Sequence, residues 1–136
     1  MQSKKMWVYS PPKRAKPKIT ESLKRQAQVA ADTLVNDVLK PKNIQPPIEK
    51  ARFNYVTDLY TKWYRSYLYF CATYCSPDPD AISPSFEVRF ARLEYVGGNR
   101  FNLAYMRHTG QWWEIYSGLS LEEALASIRD EPHFRP

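Results

Sequence analysis

Phe86-Glu87-Val88-Arg89-Phe90-Ala91-Arg92-Leu93-Glu94-Tyr95-Val96-Gly97-Gly98-Asn99-Arg100-Phe101-Asn102-Leu103-Ala104-Tyr105-Met106-Arg107 is the stretch on which the fold turns. Ala91, Leu93 and Tyr95 alternate with Arg92 and Glu94, which is the period of a strand with one buried face. Phe86, Val88 and Phe90 occupy the opposite phase, and a bulge near Phe90 reconciles the two. Gly97-Gly98-Asn99 then supplies residues that tolerate positive φ in a hairpin loop. The spacing predicts strands over 86–96, Phe101–Arg107 and Gln111–Tyr116, the last two joined through Thr109-Gly110. That is a three-strand meander.

Moving toward the N-terminus, Ser76-Pro77-Asp78-Pro79-Asp80 breaks the sheet. Residues 51–75 are rich in Tyr, Phe, Trp, Val and Thr and lack Gly and Pro. They are too long for one strand and read as a hairpin turning near Thr61 to Arg65. Pro41, Pro46 and Pro47 mark an irregular connector. From Thr20 the period becomes helical, with Leu23, Ala27, Ala30, Leu34 and Val38 on one face, Thr20 as N-cap and Pro41 as the stop. At the other end, Ser120 and Glu123 form a capping box, and Leu121, Leu125 and Ile128 give a short final helix an apolar face before Pro132. The order helix, five strands, helix is α+β with a mainly antiparallel sheet.

A length of 136 residues allows one core and is short for two domains. Residues 19–136 read as that domain and residues 1–18 as a basic, Pro-rich, extended arm. Of twenty Lys and Arg residues, Lys4, Lys5, Lys13, Arg14, Lys16 and Lys18 lie in the arm, which has no acid, so the rest balances fourteen against fourteen. The arm therefore accounts for the net charge of +6. Such a tail draws toward phosphates, and Lys13, Arg14, Lys16 and Lys18 are the candidate contacts, although solvated basic tails are common. Trp7-Val8-Tyr9 could instead dock on the domain or on a partner.

The longest apolar run at the start of the chain, Met6-Trp7-Val8-Tyr9, is too short for a signal core or a membrane span, so no membrane is expected. Cys71 and Cys75 fall in one strand, where four residues span about 13 Å against the roughly 7 Å a disulfide allows. Two unbridged thiols fit a cytoplasmic location.

The run Phe90 to Val96, the Leu103-Ala104-Tyr105-Met106-Arg107 strand, Gln111-Trp112, Tyr116 and a leucine-bearing helix reaching Arg129-Asp130 and Phe134 together resemble the C-terminal half of the bacterial domain of unknown function 3024 family. The helix over 20–40 resembles that family's opening helix, while the arm, the tyrosine-rich hairpin and Ser76 to Pro84 depart from its pattern. The resemblance implies a compact bacterial cytosolic domain and brings no activity, cofactor or catalytic residue.

No phosphate loop, metal-spaced Cys/His motif or nucleophile elbow is present, so neither metal nor cofactor is expected. A Cys71 dyad with His108 or His133 has no motif behind it. Arg107, His108 and Glu114 fall close together on the last hairpin and would suit acid–base work, but a cross-strand ion pair beside a solvated turn histidine is the stronger reading of them. Trp112 and Trp113 say more, because adjacent strand residues point to opposite faces. If both helices cover one face, the other shows indole or phenol groups beside Arg89 and Arg107; if both faces are covered, these aromatics are core. The candidate binding surface is Arg89, Tyr105, Arg107, His108, Trp112 and Trp113. Its chemistry fits a non-enzymatic interaction module that self-associates, or meets another protein, through an aromatic sheet face or edge. The alternative is a nucleic-acid-binding accessory protein that uses the arm and the Trp, Tyr and Arg residues of the sheet.

Overall fold

The computed structural model describes residues 17–44 and 53–136. The connector prolines Pro46 and Pro47, Trp7-Val8-Tyr9 and the phosphate candidates Lys13, Arg14 and Lys16 lie outside the described residues. Within them runs α1 (Glu21–Leu34), a π-helical turn (Val35–Leu39), α2 (Lys40–Asn43), five strands, α3 (Leu121–Asp130) and a 3-10 turn (Pro132–Phe134). The strands are β1 (Tyr55–Tyr64), β2 (Tyr67–Cys75), β3 (Ser85–Gly97), β4 (Arg100–Met106) and β5 (Trp112–Leu119). Each pairs antiparallel with the next, in the order β1-β2-β3-β4-β5, so the α+β meander anticipated from the alternation is what forms.

The hinge of this sheet is the bulge in β3. Phe70 faces Ala91 while its neighbour Cys71 faces Arg89, which leaves Phe90 as the extra residue. Phe90 and Ala91 both turn into the core, and the phase of β3 reverses between them. Arg89 and Arg92, three residues apart, therefore share one face, which a regular strand forbids. Tight turns close the hairpins: Arg65 takes φ 56 between β1 and β2, and Gly98 and Asn99 both take φ 58 between β3 and β4. The first turn thus lies at Arg65 and Ser66, at the far end of the stretch expected to hold it.

Thr20 caps α1 by accepting from the Leu23 N–H at 3.1 Å. The helix does not stop at Pro41. Proline has no N–H and crowds the carbonyl four residues back; the wide π turn just ahead of it, where the Lys40 N–H donates to the Val35 carbonyl, absorbs both defects and carries the helix on to Asn43. The buried face also differs from the one expected, being Ala27, Ala31, Val35 and Leu39 rather than the Ala30, Leu34, Val38 phase. Four-residue spacing drifts about 40° per step on an α-helix, and the wider π turn corrects that drift so that Val35 and Leu39 both stay on the sheet. Two alanines at the contact let α1 approach the strands closely, and Asp32 accepts from Thr61 Oγ1 at 2.6 Å to tie α1 to β1.

The Ser120–Glu123 capping box forms, and α3 buries Ala124 and Ile128 beside α1. All of this packs on one side. Ala27, Ala31, Val35, Leu39, Ala124 and Ile128 meet Leu59, Leu68, Phe70, Leu93, Phe101 and Leu103, a single core between the helices and one sheet face.

Candidate functional site: the uncovered sheet face

Side chains of the opposite phase stand on the face that none of the described helices covers. Register places Tyr60 and Lys62 of β1, Tyr67, Tyr69 and Cys71 of β2, Glu87, Arg89, Arg92 and Glu94 of β3, Ala104 of β4, and Trp112 and Glu114 of β5 on it. Tyr69, Cys71 and Ala104 are 7%, 0% and 2% exposed without belonging to the helix-side core, so this face builds a small packed layer of its own.

That layer is made of rings and guanidinium groups. Arg92 lies over Tyr67 and over Trp112, 4.8 Å from each ring centre. Arg89 lies 4.7 Å over Tyr69. Tyr69 meets Tyr67 and Trp112 with ring centres 5.8 Å apart in each case. Rings from β2 and β5 can close in this way because Ala104, between them, has only a methyl to place beneath. Guanidinium stacking on rings holds the charge flat and leaves the in-plane N–H edges as the donors.

At the β1 side the polar centre is Glu87. It accepts from the Tyr60 hydroxyl, from Lys62 Nζ at 3.1 Å, and pairs with Arg89 Nε at 3.5 Å. The Tyr60 hydrogen bond, followed by that from Lys62, holds the Glu87 carboxyl below its ordinary range. Burial first, and the hydrogen bond to Glu87 second, push the Tyr60 phenol up to about 12. The neighbouring Cys71 thiol is raised to about 11, again chiefly by burial and then by the Glu87 charge. Cys71 is thus a neutral buried thiol, the reverse of an activated nucleophile.

The residues singled out from sequence divide between the two faces. Arg89 and Trp112 stand in the uncovered layer. Tyr105 sits on the helix side, stacked on His133 at 5.0 Å and edge-on to Phe134 at 6.1 Å. Trp113, paired with Tyr105 and 51% exposed, takes the Arg107 guanidinium 4.8 Å over its ring. His108 is exposed in the β4–β5 turn, and Lys18 is exposed beside a hollow of about 510 Å³ lined by Pro17, Ile19 and Tyr64 to Tyr67. Arg107 leans to the helix side while Glu114 stands on the other, so the two do not form the acid–base group the hairpin suggested. Neither that hollow nor one of about 290 Å³ between α2 and the 3-10 turn is lined by His108 or Glu114. Among the described residues, no group of three His, Cys, Asp or Glu is placed to hold a metal, and no helix is long and apolar enough to cross a membrane.

Sequence reasoning missed Tyr67, Tyr69 and Arg92. Tyr67 and Tyr69 share a phase and so a face, a signal that was available; that Arg92 faces Tyr69 depends on the register and on the bulge.

A family model described as Domain of unknown function (DUF3024) matches residues 6–136, so the match takes in both the Ser76 to Pro84 segment and most of the arm. No curated protein and no solved structure matches.

Proposed function

The chain belongs to the DUF3024 family, whose description assigns no activity, and from that premise we propose that it is a non-enzymatic interaction module that self-associates through the uncovered face of its sheet. The observation that carries this reading is the Tyr67, Tyr69, Trp112, Arg89 and Arg92 layer, standing on the side away from the described helices. Tyr, Trp and Arg are the residues most enriched at energetic centres of protein interfaces. A second copy suits the charge on this face, where Lys62, Arg89 and Arg92 balance Glu87, Glu94 and Glu114. A strongly cationic or acidic partner would meet repulsion from half of those groups.

Nucleic acid is the weaker reading. Base stacking needs open ring faces, and here the rings of Tyr67, Tyr69 and Trp112 carry guanidinium groups or one another. Two free cysteines and the family resemblance support a bacterial cytoplasm as the place where the module works.

Sedimentation of the full chain over a hundredfold concentration range tests the proposal. The expected result is a shift from the 16.0 kDa monomer toward a species of twice that mass. A strict monomer at every concentration would remove the self-association reading.

A further inference from the structure

On the uncovered face, most charged groups already have partners within their own chain. Glu87 is taken by Tyr60, Lys62 and Arg89, which also accounts for both of those cations. Glu94 is engaged as well. Two groups are left over. Arg92 places its guanidinium carbon over the rings of Tyr67 and Trp112, yet its N–H groups meet no hydrogen-bond or ion-pair acceptor among the described residues. Glu114 is exposed and, among the described residues, has neither a hydrogen bond nor an ion pair.

These two lie in one row across the sheet, Arg92 opposite Ala104 and Ala104 opposite Glu114. They flank β4 symmetrically, one on β3 and one on β5, at about 4.8 Å per strand and so nearly 10 Å apart at the backbone. Resting on the self-association reading above, we infer that a second copy packs face to face about a two-fold axis running along β4, so that Arg92 of each copy receives Glu114 of the other.

Rotation about an axis parallel to β4 lays β3 of one copy over β5 of its partner and keeps the height of every row. The cation of each copy therefore meets the acid of the other twice, in the reciprocal manner of an isologous interface. An axis along β3 would instead set Arg92 against Arg92. Because Ala104 sits on the axis and is only 2% exposed, the surfaces that meet are side chains, among them the rings and guanidinium groups of this face, rather than backbone. In the same arrangement Arg89, toward the Trp112 end of the face, approaches the partner copy's indole. Three strands overlap, a patch of about 14 Å by 23 Å at ordinary strand spacing and rise, roughly 320 Å² on each copy and so below the roughly 800 Å² a side of a standard interface. The dimer is accordingly weak, and the held, bidentate form of the Arg92–Glu114 pairs supplies its register.

Charge reversal tests this by sedimentation equilibrium on the full chain, with circular dichroism as a check of the fold. R92E and E114R are each expected to weaken association at least about 30-fold, since each sets like charges together at two symmetric places. The double variant R92E/E114R restores the opposite-sign pairs and should return association to within about threefold of the starting chain. E114R alters an exposed side chain, so it reports even where R92E disturbs the ring stack. Association unchanged by E114R, or a double variant no tighter than the singles, overturns the pairing while leaving self-association standing. A starting chain that never dimerises overturns both.

Discussion

Cys71 and Cys75 lie four residues apart on one strand and meet different surroundings. Cys71 has no exposed surface, lies beside Tyr60 and Glu87, and keeps its proton up to about 11 because a thiolate there would be desolvated next to a carboxylate. Cys75, at the end of β2, is half-buried. Only thiolate reacts with alkylating agents, and only when reagent can reach it. In the native chain at pH 8, one thiol is expected to react with iodoacetamide within minutes and the other only on the timescale of unfolding, with both equivalent in denaturant. Peptide mapping should place the fast label on Cys75; rapid native labelling of Cys71 would show that the packed layer on the uncovered face opens easily.

At the scale of the element, α1 separates two readings of one apolar pattern. Its sequence offers Ala27, Ala30, Leu34 and Val38 in one phase and Ala27, Ala31, Val35 and Leu39 in another, and both are credible stripes on a helical wheel. What decides between them is the π turn ahead of Pro41, a feature that periodicity at 3.6 residues does not encode. The consequence is measurable. Ala31→Leu forces three extra carbons between α1 and the sheet at a position with no exposed surface and should cost about 1–3 kcal/mol. Ala30→Leu, at a half-buried position one residue away, should stay within about 0.5 kcal/mol. Urea unfolding of the two variants tells the phases apart, and the opposite order would restore the first stripe. The strands were legible for a related reason: their alternation, the Gly-Gly-Asn loop and even the bulge at Phe90 are local signals. The uncovered layer was only half legible, because Arg89 and Trp112 announce themselves by type whereas Arg92, Tyr67 and Tyr69 become a cluster only through pairings between β2, β3, β4 and β5.

For the molecule as a whole, charge and aromatic chemistry belong to different regions. The sheet face balances its charges, while the net +6 is carried by six cations within residues 1–18. Binding of nucleic acid, where it occurs, should therefore be electrostatic and blind to sequence, and should depend on the arm alone. Six phosphate contacts give a slope of about −4 in log affinity against log salt for single strands and about −5 for duplex. Replacing Lys4, Lys5, Lys13, Arg14 and Lys16 by Gln in the full chain should remove nearly all of that slope and bring affinity at moderate salt below detection in a fluorescence titration. The same substitutions should leave the monomer–dimer equilibrium within about twofold, because the pairs proposed to hold the dimer lie on β3 and β5. If instead the substituted chain still binds single strands with a shallow slope, the contact is stacking rather than counterion release. The ring layer would then have to open its faces to bases, and the same surface could not serve as a closed interface between two copies.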